Sequence, residues 1–208
     1  MANAELTPEQ IEQNFNKFRA LCEKLGDRAP KVLKLVDDLG ERLAVCPASG
    51  RTEYHNAFPG GLVKHSLTVL YNAKVINDAF DWGISKESLI VSALFHDLGK
   101  CAHISREGEV IDYYVPQDSS WHREKLGEIY KHNKQIPYMP VAQRSLWILG
   151  QYDVPLTFDE SVAILIHDGW ILDENKHYMH KEPILATILQ MADYVATKQE
   201  KNAPESER

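Results

Sequence analysis

The sequence predicts an all-α fold: a bundle of about seven to nine helices with one small β-hairpin insertion. Two observations carry that expectation. Apolar residues recur at helical spacing through most of the chain, and residues 101–116 break the rhythm with a β-branched and aromatic run.

Thr7-Pro8-Glu9-Gln10 supplies a capping hydroxyl and a proline at the first helical position. Ile11, Phe15, Phe18, Leu21, Cys22 and Leu25 then mark one helix face until Gly26. Pro30 opens a second helix with Val32, Leu33, Leu35, Val36, Leu39 and Leu43 on its apolar side. Residues 46–61 are rich in Gly and Pro and read as an unusually aromatic loop. Helices are expected over 62–79 and 85–98, the second stopped by Gly99. Ile104 and the run from Val110 to Val115 flank the turn-like Arg106-Glu107-Gly108-Glu109, a hairpin pattern. Helical signals return at 120–132, 141–152, 157–168 (capped by Thr157) and 182–199. Residues 1–45 read as helices packing on a core domain of 46–199, and 200–208 as a disordered tail.

Bulk properties narrow the function classes. A chain of 208 residues suits one generous domain. No run approaches the roughly 20 apolar residues that span a bilayer, so no membrane partner is expected. The N-terminus lacks the basic-then-apolar pattern of a secretory signal. Cys22, Cys46 and Cys101 are too scattered for a C-x-x-C pair or a disulfide framework, which points to a reducing cytoplasm. A net charge of -7 disfavours a long nucleic acid and leaves small nucleotides open, because a bound divalent cation can offset substrate charge.

The most informative stretch is 89–100, where an apolar helix (Leu89, Ile90, Ala93, Leu94) ends in adjacent His96 and Asp97. Burying a carboxylate and an imidazole without partners is expensive, and a divalent ion would satisfy both. Alone, the pair is a weak signal, because a His at a helix end is more often a satisfied core or capping residue. Two companions strengthen the metal reading. His65 falls in the first helical turn after Gly60-Gly61, and Asp193 lies among Leu189, Met191, Ala192 and Val195.

The ordered series H…HD…D, set in "GGLVKHS", "ALFHDLGK" and "LQMADYVAT", resembles the HD superfamily of metal-dependent phosphohydrolases. Within it the chain is most similar to the group with Gly-Gly-Leu before the first His, which includes bacterial HD-domain 3′-5′ exoribonucleases. The resemblance runs from His55 to Lys198 and makes 46–199 the HD domain. It implies a helical fold, metal ligands at His65, His96, Asp97 and Asp193, and Lys100 near the substrate phosphate. His167, which ends an apolar run much as His96 does, resembles a second-metal or substrate residue. In relatives a Gly-His precedes Glu-Lys-Ser in the region matching Met139 to Ser145. No His stands there, so one ion is expected rather than two, with His122 or Glu128 as the substitutes a second would need. His55, beside the Gly-Gly turn, could face substrate or hold its loop. Arg144 could bind phosphate, and Tyr113, Tyr114 and Trp121 could stack on a base or simply pack.

The expected chemistry is hydrolysis by a water activated on Mn, Fe, Ni, Co, Mg or Zn, with Asp97, Lys100 and His167 as the catalytic set. Neither a G-x-S-x-G elbow nor a G-x-x-x-x-G-K-[ST] loop is present. The expected substrate is a small nucleotide, cleaved at a phosphate ester or anhydride by a nucleotidase or dNTP phosphohydrolase. The alternatives are a 3′-5′ exonuclease on short oligonucleotides and a non-catalytic, nucleotide-binding regulator.

Overall fold

A computed structural model describes residues 5–202. Among them are nine α-helices: α1 (Pro8–Cys22), α2 (Ala29–Leu39), α3 (Glu41–Val45), α4 (Gly61–Phe80), α5 (Lys86–Phe95), α6 (Ser120–Leu126), α7 (Val141–Gln151), α8 (Phe158–Leu165) and α9 (Ile184–Asn202). Four short strands accompany them: β1 (Ala102–Ile104), β2 (Val110–Asp112), β3 (Tyr114–Pro116) and β4 (Tyr130–His132). The protein is thus a helical bundle with a small β insertion, as its periodicity predicts. No described helix is long and apolar enough to cross a membrane.

Helix α5 is the axis. Every residue from Leu89 to Phe95 is buried, so beyond its first turn this helix has no solvent face. Ile90, Val91, Leu94 and Phe95 join one apolar cluster with Phe18, Leu35 and Leu62, while Leu89 and Ala93 join a second with Val69, Ile188 and Ala192. Each such apolar side chain contributes roughly 1.5–3 kcal/mol on full burial. A helix gripped from all sides cannot slide or rotate cheaply, and this fixes where His96 and Asp97 emerge from its end.

The predicted hairpin is present. β1 and β2 pair antiparallel with Ala102 opposite Asp112 and Ile104 opposite Val110, and Gly108 makes the turn with φ +82°. Three expectations need correction. The second helix breaks at Gly40, where φ is +46°, and Leu43 lies on the separate α3. The helix expected over 120–132 stops at Leu126, because Gly127 adopts φ +60° and closes the chain back onto the His122 carbonyl. Residues 130–132 instead form β4, antiparallel to β3. The last helix also passes the boundary placed at residue 200: α9 continues to Asn202, and residues 203–208 lie outside the described residues.

Both helix caps read from the sequence are formed. Thr7 and Gln10 make a capping box at α1, and Thr157 makes one with Glu160 at α8. Glu160 has a second use. Its carboxylate is fully buried and receives both Arg28 guanidinium nitrogens, at 2.7 and 2.9 Å, tying the start of α8 to the turn before α2. Burial pushes this carboxyl up, but Arg28 and the Thr157 N–H outweigh burial and hold it below its ordinary 4.5. A depressed carboxyl contributes stability above the unfolded value, and that contribution is lost as pH falls through the folded one. Glu160→Gln is therefore expected to lower the unfolding free energy by about 3 kcal/mol at pH 7, since it strands a largely buried guanidinium. The gap from wild type in urea titrations should narrow as pH drops below 4.5. A gap that persists unchanged in acid would assign the loss to the cap alone.

Candidate metal centre

Local backbone chemistry explains the two glycine motifs. Gly60 sits at φ +82°, and a Cβ on Gly61 would overlap the Asn56 carbonyl and lie 3.0 Å from the Ala48 nitrogen. Free of that Cβ, loop 46–61 closes on the first turn of α4, with the Ala48 N–H donating to the Asn56 carbonyl (3.1 Å) and the Leu62 N–H to that of Cys46 (2.9 Å). The closure stacks His55 on His65, ring centroids 4.4 Å apart. Gly99 has the same role after α5. A Cβ there would overlap the Val141 carbonyl and stand 2.9 Å from Cβ of Arg144. In the space left, Ser145 on α7 accepts from the Gly99 N–H (2.8 Å) and donates to the His96 carbonyl (2.8 Å). Helix α7 thereby clamps the His-Asp turn.

Four helices deliver the cluster: α4 carries His65, the end of α5 His96 and Asp97, the end of α8 His167, and α9 Asp193 and Glu200. The three imidazoles are tied in the same way. His96 Nδ1 donates to the Ala93 carbonyl at 2.9 Å, His167 Nδ1 to that of Ile164 at 2.8 Å, and His65 Nδ1 to Glu200 at 2.9 Å. Each donation commits Nδ1 as the protonated nitrogen and leaves the Nε2 lone pair available to a ligand. The Nε2 atoms converge on Asp97 and Asp193. His65 Nε2 is 3.0 Å from Asp193 Oδ1, His96 Nε2 is 3.4 Å from Asp97 Oδ2, and His167 Nε2 is 3.4 Å from Asp97 Oδ1. His65 and His96 are fully buried, yet their Nε2 atoms make no aligned hydrogen bond with any described residue. Buried ring nitrogens rarely go unsatisfied. Imidazole nitrogens and carboxylate oxygens within 4.8 Å of one another form a donor set that fits a divalent transition metal.

Charge tells the same story. Burial lowers the pKa of His65, but the Asp193 and Glu200 carboxylates override it and hold the ring at about 10. Burial likewise opposes protonation of His167, which Asp97 and Asp168 bring up to about 9. Asp97 is pushed up by burial and held well below the carboxylate range by Lys100, His96 and His167. Lys100 Nζ lies 2.6 Å from Asp97 Oδ2, and this pairing outweighs burial to keep the lysine charged. His55 is pushed down to about 2 by burial and by neighbouring His65 and Lys100, which leaves it neutral. Three nearly buried carboxylates thus draw protons onto nearby imidazoles, the pattern expected where a cation completes the charge.

The residues singled out in the sequence sort into two groups. His55, His65, His96, Asp97, Lys100, His167 and Asp193 are brought together. Arg144 is not: it is 1% exposed, donates to the Pro137 and Met139 carbonyls and to His103, and lies over the Tyr113 ring. Its guanidinium serves packing. His122 and Glu128 line a neighbouring cavity but stand outside the donor cluster, His122 bonded to Ser119 and Glu128 to Gln117. Tyr114 lines that cavity too, whereas Tyr113 is buried and Trp121 is on the surface. Glu200 and Ser145 escape a sequence reading. Glu200 is seven residues beyond Asp193, two turns along the same face of α9, but it sits in a charged run that resembles a tail.

A helical bundle that focuses buried imidazoles and carboxylates from four helices onto one point is a metal-binding domain. Residues 62–198 match the model of the HD domain, and the chain belongs to that family, whose members include metal-dependent phosphohydrolases. Over 110 residues it is 26% identical to the dihydroneopterin 2′,3′-cyclic phosphate phosphodiesterase of Methanocaldococcus jannaschii. That match takes in 50% of this chain and 43% of the relative, so the chain spans less than half the relative's length. No solved structure matches the chain.

Glu200→Ala is expected to weaken Mn²⁺ binding by about 10–100-fold, because the His65 ring loses the acceptor that fixes its orientation. Isothermal titration of wild type and variant reads this directly. Equal affinities would show that His65 is oriented without Glu200.

Proposed function

We propose that the protein is a metal-dependent phosphohydrolase that cleaves a phosphate ester or anhydride of a nucleotide, with one divalent ion held by His65, His96, Asp97 and Asp193. The observation that carries this reading is the shared tethering of the imidazoles through Nδ1, which frees their Nε2 atoms toward two carboxylates. The HD family membership supports the reaction class, and the relative's name brings a cyclic phosphodiester within the candidate substrates.

A divalent ion supplies charge for the phosphoryl oxygens and lowers the pKa of water toward neutrality. The chain's own residues do the rest. Lys100 holds Asp97 in place and lines the open cavity beside the cluster, where its ammonium meets an entering phosphate. His167, fixed through Nδ1, points Nε2 at Asp97 Oδ1 and borders a second cavity with Asp193. From there it can hold a proton for the leaving oxygen. His55 covers the outer side of His65 and lines the larger cavity. A single ion is favoured because His122 and Glu128, the candidates for further ligands, stand outside the cluster.

The purified protein, incubated with Mn²⁺, should retain about one ion per chain and hydrolyse at least one member of a panel of nucleoside phosphates, cyclic phosphates and short oligonucleotides. Asp97→Ala should reduce both metal content and turnover, the latter by at least about a hundredfold. Turnover that survives this substitution or removal of the metal by a chelator would overturn the assignment.

A further inference from the structure

Two cavities open beside the metal centre, and Thr197 lines both. They differ in chemistry. The smaller, about 400 Å³, borders His167 and Asp193 and is otherwise walled largely by apolar and aromatic groups such as Trp170, Ile171 and Met191. The larger, about 920 Å³, borders His55 and Lys100 and adds Arg51, Lys131, Lys134 and Lys201. Five cationic side chains around one cavity run against the trend of a chain whose net charge is -7.

Their local neutralisation is incomplete. Of the two acids in the wall, Asp118 is paired with Lys131 at 2.6 Å and Glu128 accepts from the Gln117 amide. Arg51 is paired with Glu53 at 3.4 Å and Lys100 with Asp97 at 2.6 Å, which leaves two of the five cations to consider. Lys134 and Lys201 have no carboxylate within ion-pair distance among the described residues, and Lys201 lies over the Tyr54 ring, 5.4 Å from its centroid. An anion entering the cavity would therefore meet the Lys134 and Lys201 ammonium groups without displacing a carboxylate from either. A substrate with a single phosphate would leave both unused, since that group is already met by Lys100 at the metal centre. The cavity's volume is at the upper end of the roughly 300–1,000 Å³ of small-molecule sites, and Tyr54, Tyr114 and Tyr130 add ring faces to it.

We infer that the larger cavity is a second anion subsite, which holds a phosphate of the substrate other than the one being cleaved. The inference rests on the phosphohydrolase reading and specifies its substrate class: a nucleotide bearing at least two phosphates. Those two are either joined as an anhydride, as in a nucleoside diphosphate, or set on either side of a sugar, as in a 5′-phosphorylated dinucleotide.

Equilibrium binding separates these cases. Binding of pApA, ApA, ADP and AMP would be measured by calorimetry with Ca²⁺ in place of Mn²⁺, and turnover of all four would be measured separately with Mn²⁺. The wild type should bind the form with the additional phosphate about tenfold more tightly in at least one pair. The Lys134→Ala/Lys201→Ala variant, altered at two exposed positions, should bring that preference to within about twofold. A preference confined to pApA assigns the subsite to dinucleotides, and one confined to ADP assigns it to anhydrides. No preference in the wild type, or one that survives the double substitution, overturns the subsite even if turnover is observed. A preference that disappears in the variant, in a protein that turns over none of the four, upholds the subsite and counts against the hydrolase reading.

Discussion

Asp97 has only 5% of its side chain exposed, and the rest of the molecule is arranged around that carboxylate. An isolated buried carboxylate costs several kcal/mol and would take up a proton. Here Lys100, His96 and His167 surround it, and their combined charge holds it ionised against burial. Each of these neighbours is itself pinned: the imidazoles by backbone carbonyls one turn earlier, the lysine by Asp97 itself. The network is stable only if all its members stay in register, so the backbone that carries them must be rigid.

That rigidity comes from α5 and from two glycines. A helix buried along its whole apolar length joins the two hydrophobic clusters, and the chemistry begins where that helix ends. Gly99 lets α7 approach closely enough for the Ser145 hydroxyl to bridge the Gly99 N–H and the His96 carbonyl. Gly61 lets loop 46–61 fold over the start of α4 and bring His55 against His65. Both glycines sit in the sequence motifs because of contacts their missing Cβ atoms permit.

The sequence displays the helices and much of the cluster because both leave local marks. Apolar spacing exposes α1, α2, α4, α5, α7, α8 and α9, and a carboxylate or imidazole interrupting an apolar run exposes His96, Asp97, His167 and Asp193. Three features leave weaker marks. Strand β4 follows α6 without a proline, and only the left-handed turn at Gly127 separates them, so the helical spacing runs on in the sequence past the end of the helix. Arg144 shows its charge in the sequence but not its burial against His103 and Tyr113, which depends on contacts 41 and 31 residues away. Glu200 is part of a charged run, and its burial arises only when α9 crosses α4 beside His65.

Charge distribution links the centre to its surroundings. The carboxylates Asp97, Asp193 and Glu200 form an acidic focus suited to a cation, while the rim of the larger cavity is basic. A phosphate approaching the bare acidic focus would be repelled, and a basic rim without an anion repels itself. Each region therefore needs the other's ligand. On the proposed reading, metal at the centre would make the floor receptive to phosphate, and a phosphate on the rim would meet Lys134 and Lys201. The -7 net charge of the whole chain sharpens the contrast, because it leaves this cavity as a local exception on an acidic protein. On that reading, such an arrangement would favour a compact polyanion that fits the cavity.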